Sequence, residues 1–136
     1  MIHELALLAA KIFNRRIKDV GLTRSQWHVL YLLNEKDGLT QTELAAHLTM
    51  AKPTLGKIID LLEGDGWVVR REDLNDRRAK KVFLTEKLAP LVNPLEKIVD
   101  DLGELTTKGF TETQRRTFIK CIQAALENLN EAAAED

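Results

Sequence analysis

The stretch from Thr40 to Thr85 constrains this chain more than any other part of it. It predicts a helix, a short turn, a second helix and then a hairpin with a polar tip. Thr40-Gln41-Thr42-Glu43 has the form of a capping box: the threonine hydroxyl takes an orphan backbone N–H and Glu43 reaches back to the cap. Leu44, Ala45 and Leu48 then supply a narrow apolar stripe, and Leu48-Thr49-Met50-Ala51 breaks it. Pro53 suits the first turn of a new helix, where its missing N–H costs nothing. Leu55, Ile58, Ile59 and Leu62 fall at i, i+3, i+4 and i+7, one buried face. Lys52, Thr54, Gly56, Lys57 and Asp60 occupy the other face, and Gly64 and Gly66 allow a sharp exit. Two short helices joined by such a turn fit a helix-turn-helix.

The hairpin follows. Trp67-Val68-Val69-Arg70-Arg71 and Lys81-Val82-Phe83-Leu84-Thr85 have strand-like composition, and the residues between them are polar and turn-rich. Arg70, Arg71, Arg77, Arg78, Lys80 and Lys81 outnumber Glu72, Asp73 and Asp76 by six to three. Such a tip can track phosphates or place an arginine in a narrow, electronegative minor groove. Asp76 is expected to hold a neighbouring arginine by charge-assisted bonding rather than to touch a nucleic acid. Arg70 and Arg71 are open to two readings, phosphate contact or salt bridges to Glu72 or Asp73.

The run Asp76-Arg77-Arg78-Ala79-Lys80-Lys81-Val82-Phe83-Leu84-Thr85-Glu86-Lys87 resembles the wing signature of the MarR family of bacterial regulators. It is most similar to the SlyA branch, with a later Pro90-Leu91 in register. Gly21-Leu22-Thr23-Arg24-Ser25-Gln26-Trp27, Pro53-Thr54-Leu55 and Leu61-Leu62-Glu63-Gly64-Asp65-Gly66 resemble the branch's second-helix entry, recognition helix and exit. The resemblance covers nearly the whole chain. It implies a mainly α fold with a small β-hairpin, a winged helix-turn-helix with N- and C-terminal dimerisation helices. It also implies a homodimer on double-stranded DNA at a pseudo-palindromic site, responsive to a small aromatic carboxylate or phenolic effector. By position, Lys57 stands where the branch tends to have a base-contacting arginine, Arg78 at the wing-tip arginine of the minor groove, and Arg77 beside it. The expected DNA-binding set is Lys52, Pro53, Thr54, Gly56, Lys57, Arg70, Arg77, Arg78 and Lys80. Two departures stand out. Lysine at 57 cannot make arginine's planar two-pronged contact to guanine. Gly56 removes a side chain from the exposed face.

Length and charge bound the alternatives. The 136 residues suit one domain, with a winged core over 22–86 and a helical dimerisation region over 1–20 and 87–133. A net charge of −1 excludes a generally basic nucleic-acid coat, so any DNA binding is local. An acidic C-terminal end with Glu127, Glu131, Glu135 and Asp136 balances the basic wing. One cysteine excludes an internal disulfide and fits a reducing bacterial cytoplasm, where a regulator would be nucleoid-associated. No apolar run reaches bilayer length, and Leu5 to Ala10 reads as part of an amphipathic helix rather than a secretion signal. No nucleophile with a base, metal set or phosphate-cradling loop marks an enzyme, and no cofactor is expected. His3, His28 and His47 have no metal-ligand spacing. The competing reading is a winged helix used only for protein interaction, which predicts an uncharged or acidic wing.

The flanks predict helices. Leu5, Leu8, Ile12 and Phe13 make one apolar face, and Thr23 with Gln26 caps a helix bearing Trp27, Leu30, Tyr31 and Leu33. Thr85 is expected to cap a long helix in which Leu88, Leu91, Leu95, Ile98, Leu102 and Leu105 form a seam. Pro94 lies inside it, so the helix either begins near Pro90 or bends there. Thr111 and Gln114 cap a last amphipathic helix, in which Cys121 reads as a small buried residue. The apolar faces of the terminal helices exceed what the winged core can cover, which points to a two-fold mate. Trp27 and Tyr31 suit core packing. From the resemblance, they are also candidate pocket walls for the effector, with Arg16 supplying positive charge.

Overall fold

The computed structural model describes residues 1–135. Its helices are α1 (Ile2–Ile17), α2 (Arg24–Glu35), α3 (Gln41–His47), α4 (Lys52–Gly64), α5 (Val92–Thr106) and α6 (Glu112–Glu135). Its strands are β1 (Leu39–Thr40), β2 (Val68–Glu72) and β3 (Lys80–Leu84), and short 3-10 turns cover Lys18–Val20 and Ala89–Leu91. The chain divides into two compact units, Met1–Asp100 and Asp101–Asp136.

The first unit holds the winged module. Helix α2 starts where Thr23 and Gln26 cap each other: Gln26 N–H donates to Thr23 Oγ1 at 3.2 Å and Thr23 N–H to Gln26 Oε1 at 3.0 Å. At α3, Glu43 N–H donates to Thr40 Oγ1 at 3.1 Å. The Glu43 carboxylate takes the threonine hydroxyl instead of the cap backbone. Thr49, with φ of 49°, turns the chain between α3 and α4.

Helix α4 ends in a Schellman closure. Gly66 has φ of 80°, its N–H reaches Glu63 O at 3.0 Å, and Trp67 N–H reaches Leu62 O at 2.8 Å. Leu62 and Trp67 are both buried, the apolar contact that such a closure favours. Lys87 then lies 4.3 Å over the Trp67 ring and donates to Asp65 O at 2.6 Å.

The sheet has the order β1-β3-β2, antiparallel throughout. The register of β2 and β3 runs from Val68 opposite Leu84 to Glu72 opposite Lys80. The two-residue strand β1 is too short for sequence periodicity to show. It pairs through Leu39 with Val82, and Gly38 makes room for it. With φ of +76° and Phe83 Cε1 only 2.8 Å from where a Cβ would sit, that position suits glycine alone.

The core beneath these elements collects Ile17, Leu30, Leu33, Leu44, Leu55, Ile59, Leu62, Val82, Leu88 and Leu95, each at most 2% exposed. Burial of this apolar surface is the main favourable term for the unit.

Thr85 does not begin the long helix. Its hydroxyl donates to Gly66 O at 2.7 Å, pinning the end of the hairpin to the exit of α4. The chain then passes through the Ala89–Leu91 turn before α5 starts at Val92. Pro94 is thus in the first turn of α5, where no intrahelical N–H is required. Of the two expectations for this region, the late start near Pro90 holds.

In the second unit, Thr111 and Gln114 cap each other at the start of α6, and Phe110 meets Phe118 edge-on with centroids 5.5 Å apart. None of the α6 residues is buried. Cys121 is exposed, contrary to its expected burial. Ile119, Ile122, Leu126 and Leu129 of the apolar stripe around it are exposed too.

Candidate nucleic-acid interface

Helix α4 presents Lys52, Pro53, Thr54 and Lys57 to solvent, while Leu55, Ile59 and Leu62 face the core. The period of the apolar residues alone sets this division. Gly56 is half-buried, with the Gln41 amide nitrogen 3.8 Å from its would-be Cβ position. That glycine faces α3 more than solvent.

The wing tip spans the residues between β2 and β3. Asp73 N–H donates to Ala79 O at 3.0 Å, and Ala79 N–H donates to Asp76 O at 3.1 Å. The Asp76 carboxylate accepts the Arg78 backbone N–H at 3.0 Å. Asp76 therefore shapes the turn through the backbone, and among the described residues no ion pair ties it to an arginine side chain. The expected charge-assisted bond to a guanidinium is replaced by an Asx-type contact, which the two-residue spacing favours. Arg77 and Arg78 are left exposed.

Wing and helices meet at a cleft of about 300 Å³. It is lined by Thr40, Gln41 and Thr42 at the start of α3, by Lys52 of α4, and by Arg78 and Lys80 of the wing. Three cations from two elements distant in sequence thus share one opening. Arg71 and Lys81 stand directly opposite each other on β2 and β3. Like charges so placed repel, and a polyanion would relieve the repulsion. Arg71 also lies over the Phe83 ring, 5.4 Å from its centroid.

Arg70 departs from both sequence expectations. Its guanidinium turns inward and pairs with Asp60 at 2.6 Å and Glu63 at 3.1 Å, not with Glu72 or Asp73. Alternation along β2 puts Arg70 and Arg71 on opposite faces, so only one of the pair can point outward. Its guanidinium donors are thus engaged by α4 and by Gln41 of α3. The signal that could have found this is the pair of acids at 60 and 63, one turn apart on the helix before the hairpin.

The residues expected to wall an effector pocket are dispersed in character. Trp27 is buried in the core, Tyr31 is 44% exposed, and their rings are 5.5 Å apart and tilted by 58°. Arg16, on α1, is exposed. A separate cleft of about 460 Å³ lies nearby in sequence, lined by residues such as Lys18, Leu22, Thr23 and Arg24, and includes none of the three. Among the described residues, no group of three His, Cys, Asp or Glu side chains could hold a metal ion. The pKa of His28 is lowered from its ordinary value, first by desolvation and then by the Arg24 charge. No helix among the described residues is long and apolar enough to cross a membrane.

A three-helix core, a three-stranded wing and a cationic cleft between them define a winged helix-turn-helix protein. The MarR family model matches residues 22–80. A MarR transcriptional regulator from Methanosarcina mazei Go1 has the same fold, with a TM-score of 0.90 and 30% identity over 96% of this chain and 94% of that one. The chain belongs to the MarR family. An uncharacterized HTH-type transcriptional regulator of Bacillus subtilis (strain 168), YwoH, is 41% identical over 86 residues, 63% of this chain and 62% of that relative. The match thus spans less than two thirds of the relative's length. A mutant MarR from E. coli, complexed with operator DNA, aligns with a TM-score of 0.83 and 26% identity, over 92% of this chain and 90% of that one. The transcriptional regulator SlyA shares the fold at 23% identity, with a TM-score of 0.88 over 96% of this chain and 92% of that one.

Proposed function

We propose that this MarR-family protein is a transcriptional regulator that binds double-stranded DNA sequence-specifically, as a homodimer on a pseudo-palindromic operator. Helix α4 enters the major groove, with Lys52, Pro53, Thr54 and Lys57 toward the duplex. The wing, through Arg77, Arg78 and Lys80, follows the backbone and reaches the minor groove. The observation that carries this reading is the cleft in which Lys52 of the recognition helix meets Arg78 and Lys80 of the wing. A winged helix used only for protein contacts has no need for that convergence of charge. The similarity to a MarR protein solved with operator DNA supports the same reading. Selection of the purified protein on random duplexes tests it: an enriched inverted repeat, with affinity falling steeply as salt rises, is the expected result. No enrichment would favour the protein-interaction reading. The protein would act in the bacterial cytoplasm at the nucleoid.

Exposed apolar surface on α1 and on α6 supports the homodimer. Ile2, Leu5, Leu7 and Leu8 of α1 are exposed, as are Ile119, Ile122, Leu126 and Leu129 of α6. Apolar patches of this kind mark association surfaces. A two-fold mate also sets two recognition helices about one helical turn apart on DNA. Ile122→Glu/Leu126→Glu is expected to convert the dimer to a monomer, read by sedimentation. A dimer unchanged by the pair of charges would remove α6 from the interface.

A small aromatic carboxylate or phenol would act as effector near Arg16 and Tyr31. Trp27, packed against Tyr31, provides the reporter. Titration with salicylate is expected to change Trp fluorescence in the millimolar range; no change at that concentration would count against an effector at this place.

A further inference from the structure

Arg70 belongs to the wing but does not serve its outer surface. Its side chain is 16% exposed. Nε donates to Gln41 Oε1 at 2.8 Å, Nη1 to Glu63 Oε1 at 3.1 Å, and Nη2 to Asp60 Oδ1 at 2.6 Å and Gly56 O at 3.5 Å. Its backbone N–H donates to Glu63 Oε2 at 3.0 Å. One planar group on β2 thus holds the first residue of α3 and three successive levels of α4. Isolated surface ion pairs contribute little. Here the fork is largely buried and its donor directions are rigid, so the contacts fix geometry as well as charge.

Charge adds a second argument. Along α4, Lys52 and Lys57 are balanced by Asp60 and Glu63. Asp60 is 68% exposed at its side chain, on the helix that would enter the groove. Left alone, these two carboxylates would repel phosphates beside the very lysines meant to attract them.

We infer that Arg70 is a positioning residue for duplex recognition: it sets the wing against the recognition helix and screens Asp60 and Glu63, without touching DNA. This rests on the DNA-binding reading above. The role differs measurably from phosphate contact. A lost phosphate contact weakens binding to all duplexes alike and lowers the salt slope by about 1. A lost positioning residue reduces the preference for the selected site over random duplex and leaves the slope in place.

The test compares wild type, Arg70→Gln, Arg70→Lys and the triple variant Arg70→Gln/Asp60→Asn/Glu63→Gln. Each is measured on selected and random duplexes, over a salt series, at a temperature where circular dichroism shows the native helix content. Arg70→Gln is expected to lower the preference about tenfold, the scale of one lost base contact. Arg70→Lys keeps the charge and loses the fork, so random-duplex affinity stays while the preference falls. The triple variant regains random-duplex affinity but not the preference. If Arg70→Gln does not fold, Arg70→Lys carries the test. A preference unchanged in the glutamine or lysine variant overturns the proposal, as does uniform weakening with a slope reduced by about one contact. A wild type without any site preference overturns the DNA reading instead, before any substitution is compared.

Discussion

Lys57→Ala/Arg78→Ala is expected to abolish the enrichment of an inverted repeat that the wild type produces on random duplexes. Both side chains lie on the exposed surface, one on α4 and one at the wing tip. Their removal leaves no cavity, so stability should stay within about 0.5 kcal/mol of wild type. Recognition loses two different terms. Lys57 placed at a base edge contributes about 1–3 kcal/mol per half-site and sets the preference there. Arg78 in a narrow minor groove contributes through the local potential, which is strongest over A·T-rich flanks. A two-fold assembly counts each loss twice, which takes specific binding into the range of non-specific binding. The single variants separate the terms: Lys57→Ala relaxes one base position, and Arg78→Ala flattens the preference for A·T-rich flanks. Unchanged selectivity in both would refute these assignments.

The second large effect is on stability. Ile59 lies at the centre of the buried face of α4 and is fully buried. Ile59→Ala should lower the unfolding free energy by about 2–5 kcal/mol, from lost transfer energy and an unfilled cavity beneath the recognition helix. Urea denaturation would read it as a lower midpoint at an unchanged slope. A loss below about 1 kcal/mol would mean that α4 is docked more loosely than its burial implies. Because the same helix presents Lys57, duplex binding should weaken as the native fraction falls, and the pattern of preferred bases should not change.

Much of the module is legible without coordinates, because its signals are local. Threonine capping at α2, α3 and α6 needs partners only three residues away, and all three caps form. The face of α4 follows from spacings of three and four. The turn exit at Gly66 follows from a positive φ that glycine adopts freely. Where the local signal is ambiguous, it misleads. Thr85 has a capping residue's chemistry and accepts the Lys87 N–H at 3.3 Å, yet its hydroxyl also donates to Gly66 O, from 19 positions earlier, and the long helix starts only at Val92. Cys121 sits in an apolar stripe, yet that stripe is exposed, because a helical period says which residues share a face and not what covers it.

The sequence by itself determined the two helices of the helix-turn-helix and their turn, the inward face of α4 and the basic tip of the wing. All of these depend on neighbours within about one helical turn or one hairpin. Tertiary structure alone decided which of the cations stay free of partners within the fold and which are engaged. Arg70 and Arg71 are adjacent and chemically identical, but the pleat of β2 sends them to opposite faces. One meets Asp60, Glu63 and Gln41, from as far as 29 positions away, and the other meets the Phe83 ring. Pairings at that separation are set by how helix and sheet pack, since a guanidinium surrenders its hydration only where packing has already placed its acceptors.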